Sequence, residues 1–306
     1  MKAISLTERA NLIVRAKPEL GSMLAVVEKE LLHYDIFYLL QSKGLMLPEM
    51  VFIGGTCLRL CHHSNRYSED LDFHAGVDFK PSDFDAIRFE IEKFLFDRYQ
   101  LPVEVRSPKQ LKNDPEYANS NANTWKVIIQ THPEQRHIPS QRVHIDIANV
   151  PVHEVKPLLI RTNYDELPAG YDTLLVNSAS LNEILADKLI AVPARNNIKA
   201  RDLWDIVWLL QKNATVDEAL VLQKIADHAM TNYKQRLEAR INEIPRYFEG
   251  QFFQKEMSRF LDATRLQETV LKPEFVSYVD NKISQILQAL HQALFGVAAE
   301  QPQFKL

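Results

Sequence analysis

Glycine is scarce in this chain: 8 of 306 residues, where an average protein carries ~7%. Cysteine is scarcer, at 2. Cys57 and Cys61 stand four apart, on one face if helical, with Cβ atoms too distant for an unstrained disulfide, so reduced thiols are expected. A metal site built from them with His62 or His63 would lack a second ligand pair at zinc spacing. Long apolar runs are missing too. No stretch is long enough to span a bilayer, and the N-terminal MKAISLTERANLIVRAK lacks the apolar core of a secretory signal. A formal charge of −4 does not suit a protein that coats DNA through bulk charge. What remains is 46% hydrophobic and 25% charged, without low-complexity tracts. That is an ordinary globular chain, expected in the cytoplasm and long enough for two domains at ~150 residues each.

Helices are predicted over 7–17 and 19–43. In the second, Leu24, Val27, Leu31, Tyr34 and Tyr38 recur at steps of three and four, and Gly44 is the expected stop. MVFIGG (50–55) and DLDFH (70–74) read as strands. A helix follows over 82–99, with Ser82 or Asp83 as N-cap. LPVEVRS, TWKVIIQ and QRVHIDIANV alternate or are β-branched, as strands do. The region 151–176, with Pro151, Pro157, Pro168 and Gly170, reads as a connection. Beyond it only helical patterns remain, opened by a capping box at Ser180 and Glu183. Lys234, Arg236, Arg240 and Arg246, interleaved with Glu238 and Glu243, read as a solvated helix face rather than an RNA surface. The expected architecture is α+β: helices over 1–49, a mixed sheet flanked by helices over 50–175, and an all-helical domain over 176–306 that contributes to the active-site cleft.

Two of the few glycines lie side by side in FIGGTCLRLCHHSNRYSEDLDF (52–73). A strand entering Gly54-Gly55-Thr56 and then a helix presents unobstructed backbone N–H groups at a helix N-terminus, which suits a phosphate. A glycine pair alone is more often a plain turn, and no Gly-Lys-Ser/Thr follows to make a Walker loop. At the end of the stretch, Asp70 and Asp72 share a strand face while Leu71 and Phe73 point the other way. Carboxylates that close repel unless a cation lies between them, and hard oxygen donors suit magnesium. In RVHIDIANV, Val143, Ile145 and Ile147 alternate inward. Asp146 is thereby left on the opposite face of a strand able to neighbour the pair. Three carboxylates around two metal ions beside a phosphate-binding turn is an arrangement for nucleotidyl transfer.

The stretch resembles the first motif of the AbiEii/AbiGii nucleotidyltransferase toxins, the toxin half of type IV toxin–antitoxin and abortive-infection systems. These belong to the DNA polymerase beta-like nucleotidyltransferase superfamily. The matching residues are Gly54, Gly55, Thr56, Leu58, Arg59, Arg66, Ser68, Asp70, Leu71, Asp72 and Phe73. ADKLIAVPARNNIKARDLWDIVWLL is similar to the family's later motif at Lys188, Leu189, Ala191, Lys199, Arg201, Asp202 and Asp205. Pro193 falls within the helix carrying Lys188, which predicts a kink near its end. The resemblance spans about 20–212.

It implies a magnesium-dependent, two-metal enzyme that transfers NMP from an NTP to an acceptor hydroxyl, such as the tRNA 3′ end, and is neutralised by a cognate antitoxin. Asp70, Asp72 and Asp146 would hold metal, and with Lys188 and Asp205 form the catalytic set. Gly54, Gly55, Thr56, Arg66, Ser68, Lys188, Arg201 and Asp202 would bind the nucleotide. On the residues' own chemistry, Lys188 would neutralise triphosphate charge. Asp202 and Asp205 share a helix face and would orient Lys188 or the attacking group; alternatively Asp202 complements the helix dipole. The rival readings are transfer to a protein Ser, Thr or Tyr hydroxyl, and an inactive module binding nucleic acid or a partner.

Overall fold

The segment 24–42 is apolar on nearly every side, and a helix of that kind belongs inside. The computed structural model, which describes residues 4–111, 122–135 and 137–296, buries it accordingly. α1 (Leu6–Ala16) is capped by Ser5, whose Oγ accepts from the Glu8 amide. Pro18–Leu20 forms a 3-10 turn, so α2 (Leu24–Ser42) starts later than the expected residue 19. α2 buries Val27, Leu31 and Tyr34 of the predicted stripe, but also Leu32, Ile36, Phe37 and Leu40. Its buried acids are partnered. Asp35 accepts from the hydroxyls of Tyr99 and Tyr171 and pairs with Arg98 at 3.0 Å, and Glu30 pairs with Arg59 at 2.9 Å.

The chain divides into two units: Met1–Ile184 with Met257–Glu268, and Leu185–Glu256 with Thr269–Leu306. The first holds a seven-stranded mixed sheet, built from β1 (Val51–Ile53), β2 (Leu71–His74), β3 (Val103–Arg106), β4 (Ala122–Ile129), β5 (Gln141–Ala148), β6 (Val155–Leu159) and β7 (Leu175–Ala179). Their spatial order is β3-β4-β5-β2-β1-β7-β6. The helices α3 (Gly54–Cys61), α4 (Pro81–Tyr99) and α5 (Pro108–Leu111) belong to the same unit. On the apolar face, Phe37 of α2 lies 4.9 Å from Phe52 and 6.1 Å from Phe73, and Phe84 of α4 lies 4.8 Å from Trp125.

Three local expectations are corrected. The stretch 151–176 is not a bare connection but carries β6 and β7. β6 is an edge strand, where Pro157 forfeits no ladder bond that a neighbour needs, and its exposure on both sides erases the usual alternation. The cap of α4 lies before Ser82: Pro81 takes the first helical position, where its missing N–H costs nothing, and Asp83 reaches back to the Lys80 amide at 3.2 Å. At Ser180 only half of a capping box forms. Ser180 Oγ accepts from the Glu183 amide at 3.0 Å, while the Glu183 carboxylate accepts from the amides of His153 and Glu154.

The second unit is helical. α6 (Leu181–Ala194), whose first turn belongs to the sheet unit, is followed by α7 (Ala200–Gln211), α8 (Glu218–Asp227), α9 (Tyr233–Glu249) and α10 (Phe252–Met257). After α11 (Ala263–Glu268), which returns to the first unit, α12 (Pro273–Phe295) packs along α9 and against α7 and α8. α6 ends at Ala194, one residue beyond Pro193. Residues 297–306 of the expected helical domain lie outside the described residues.

Candidate active site

β1 passes into α3 without an intervening loop, Gly54 and Gly55 being the first helical residues. Gly54 has φ +76°, where an L side chain is strained. The space facing both glycines is filled by the motif itself. A Cβ on Gly54 would lie 2.5 Å from Asp72 Oδ2; one on Gly55 would overlap the Arg66 guanidinium and come within 2.8 Å of Ser68 Oγ. Thr56 Oγ1 donates to the Asp70 carbonyl at 2.5 Å. Arg66, only 2% exposed, donates from Nη1 to the Tyr67 carbonyl at 2.8 Å. Gly54, Gly55, Thr56, Arg66 and Ser68 are thus brought together with Asp70 and Asp72, and the missing Cβ atoms let a carboxylate and a guanidinium close in on the helix start.

Asp72 of β2 and Asp146 of β5 are direct partners in a parallel register, flanked by Leu71↔Ile145 and Phe73↔Ile147 on the other face. Asp70 stands one residue before β2. His144 Nδ1 donates to Asp70 Oδ1 at 2.8 Å, and Thr124 of β4, paired with Asp146, donates from Oγ1 to Asp146 Oδ1 at 2.5 Å. Cross-strand partners share a face. Asp72, Asp146 and Thr124 therefore form one row across the sheet, and His144, Lys126 and Arg106 the next. Burial is the main cause that raises the Asp146 pKa, and the Asp70 charge adds to it against the Thr124 hydrogen bond. Burial pulls His144 down, but the hydrogen bond and charge of Asp70, with Asp146 beyond, bring it out above its ordinary value. His144, Thr124 and Lys126 were missed by the sequence reading. Their signal was parity: His144 lies two before Asp146, and Thr124 and Lys126 are the alternate polar positions of TWKVIIQ.

In the second unit, Lys188 of α6 donates to Asp202 Oδ1 at 2.6 Å and pairs with Asp205 Oδ2 at 2.9 Å. The two aspartates, one turn apart on α7, grip one ammonium. Arg195 Nε lies 2.9 Å from Asp202 Oδ2. Asp202 is 3% and Asp205 0% exposed. Burial alone would raise the Asp202 pKa, but Lys188 and Arg195 overrule it and hold the carboxyl far below the usual range. Arg201 faces Glu256 at 3.8 Å. Arg236 and Arg240 belong to a helix face that is solvated, as expected, at Lys234, Arg236 and Arg246 and buried only at Arg240. They donate to the carbonyls of Ala194 and Arg195, where the end of α6 leaves acceptors without helical partners. Cys57 and Cys61 are free, buried thiols. Cys57 Sγ and His62 Nε2 each lie 3.1 Å from Ser178 Oγ, which ties both to packing.

A mixed sheet with aspartates in register on adjacent parallel strands, entered through a strand–Gly-Gly–helix junction, defines a nucleotidyltransferase-type protein. The family model of the nucleotidyl transferase AbiEii toxins of type IV toxin–antitoxin systems matches residues 38–282. The chain belongs to that family, and it is a nucleotidyltransferase. Among solved structures, MenT4, a nucleotidyltransferase toxin from Mycobacterium tuberculosis, is 17% identical over 93% of this chain and 98% of the other, with TM-score 0.51. JHP933 from Helicobacter pylori is 16% identical over 88% and 93%, with TM-score 0.43. At such identities the MenT4 likeness is one of fold. No curated protein matches the chain. Among the described residues no helix is long and apolar enough to cross a membrane.

Proposed function

We propose that the enzyme works in the cytoplasm, transferring a nucleoside monophosphate from an NTP to the 3′-terminal hydroxyl of tRNA, and is restrained by a cognate antitoxin. In the transfer the acceptor oxygen bonds to the α-phosphorus, the bond from that phosphorus to the bridging oxygen breaks, and pyrophosphate leaves. The carrying observation is the register Asp72↔Asp146, with Asp70 alongside. All three donors are carboxylate oxygens, the set that suits Mg²⁺. The raised Asp146 pKa, caused by burial and by the Asp70 charge, marks a crowding of like charge that a divalent cation relieves. When bound by Asp70, Asp72 and Asp146, a pair of Mg²⁺ ions supplies charge neutralisation for the triphosphate and activation of the acceptor hydroxyl.

The chain's own residues take the remaining roles. Asp146, tethered by Thr124, acts at the acceptor hydroxyl. Gly54, Gly55, Thr56, Arg66 and Ser68 shape the nucleotide cradle. Lys188, held by Asp202 and Asp205, carries charge for the triphosphate, with Arg201 as a further cation. The test incubates purified protein with each labelled NTP, Mg²⁺, total tRNA and cell extract. Label is expected in tRNA with the wild type, and in nothing with Asp72→Asn or Asp146→Asn. Label in protein would replace the acceptor; full transfer by Asp72→Asn would refute the site.

A further inference from the structure

His144 has no place in the motifs, yet it is bonded to one of the three carboxylates. Its Nδ1 lies 2.8 Å from Asp70 Oδ1. An ionised carboxylate only accepts hydrogen bonds, so the proton lies on Nδ1 whether the ring is neutral or charged. Asp70 stands before β2, outside the ladder that holds Asp72, and its backbone is secured by Thr56. The side chain is a separate matter: a carboxylate on a bare strand end rotates about two bonds. His144 projects from β5 at the position after Val143 and two before Asp146, opposite Lys126 of β4, so its backbone is fixed in the sheet where that of Asp70 is not. Asp146 has the same kind of tether in Thr124.

We propose that His144 is a positioning residue that holds Asp70 in the orientation in which it binds a divalent cation. This rests on the reading of Asp70, Asp72 and Asp146 as the metal carboxylates. Partners of this kind, behind the ligands, typically account for ~10–100-fold in metal affinity. His144 touches no reacting atom in this scheme. Its contribution is geometric, and a replacement that restores a donor at the Nδ1 position restores the effect. Asn carries its amide nitrogen near that position; Ala carries nothing.

The experiment titrates Mn²⁺ into the full-length protein, with and without α,β-methylene-ATP, following free Mn²⁺ by electron paramagnetic resonance. Near-UV circular dichroism and the melting temperature without metal check the fold of wild type, Asp72→Asn, His144→Ala and His144→Asn. His144 is partly exposed, so both substitutions are expected to fold. His144→Ala should bind Mn²⁺ ~10–100-fold more weakly than wild type, His144→Asn within about threefold, and the Mg²⁺ concentration for half-maximal transfer should rise in parallel. Wild-type affinity in His144→Ala, with Asp72→Asn impaired, overturns the positioning role alone. Equal weakening in the Asn and Ala variants overturns it as well. Mn²⁺ affinity in Asp72→Asn equal to that of wild type overturns the metal reading on which it stands.

Discussion

Gly54→Ala separates the two jobs of this glycine. The residue lies at φ +76°, and an L side chain there costs ~1–2 kcal/mol. For a chain of this size that lowers the melting temperature by about 2–4 °C per kcal/mol. The new methyl would also lie 2.5 Å from Asp72 Oδ2, where ordinary contact begins at 3.4 Å. The carboxylate must therefore withdraw by about 0.9 Å, and because it is the end of a side chain it can do so without breaking β2. A displacement of ~1 Å in a catalytic group can cost ~10²-fold in rate. Gly44→Ala supplies the control: φ is +63° and nothing lies within 4 Å, so the backbone cost recurs and the carboxylate is untouched. The assay is nucleotide transfer from labelled NTP, beside thermal unfolding of both variants. Gly54→Ala should lose ~10²-fold in transfer and Gly44→Ala none, with similar losses of melting temperature. Transfer within twofold of wild type in Gly54→Ala would show that nothing in the reaction depends on where Asp72 lies.

Asp146→Asn removes a charge at constant volume from a partly exposed position; it should stay folded, lose ~10²–10³ in transfer rate, and relieve any toxicity in cells that the wild type poisons. Lys188→Met leaves Asp202 and Asp205 buried without their ammonium and should cost ~3–5 kcal/mol in urea unfolding, partly recovered by adding Asp205→Asn; a loss under 1 kcal/mol would contradict the ion-pair account. His33 is fully buried and pushed down to about 4, chiefly by burial, while donating to the Glu69 carbonyl. The unfolded chain binds a proton from pH ~6.5 downward that the folded one refuses until about 4, so folding stability is lost as pH falls through that window, by ~3 kcal/mol in all. His33→Gln keeps a donor without the titration, and its stability profile should be flatter by that amount between pH 7 and 4.

Which residues share a face was legible in the sequence, because the two-residue period of a strand and the 3.6-residue period of a helix are backbone properties. Asp70 with Asp72, Val143 with Ile145 and Ile147, and Asp202 with Asp205 all follow from spacing alone. The resemblance supplied the family from the first motif. Strands without alternation were not legible: β6 is exposed on both faces, so no pattern marked it. Only the tertiary structure decided that β5 lies beside β2 rather than elsewhere, with Asp146 opposite Asp72 and not one residue off. Periodicity assigns a face but carries no information on neighbour or offset, which packing sets between segments 74 positions apart. The same holds for the glycines: the sequence puts them at a strand–helix junction, but that Asp72, Arg66 and Ser68 fill the space facing them was set by packing. It holds too for Lys188, whose two aspartates sit on another helix: a side chain's charge is written in the sequence, while its partner is chosen by how the elements pack.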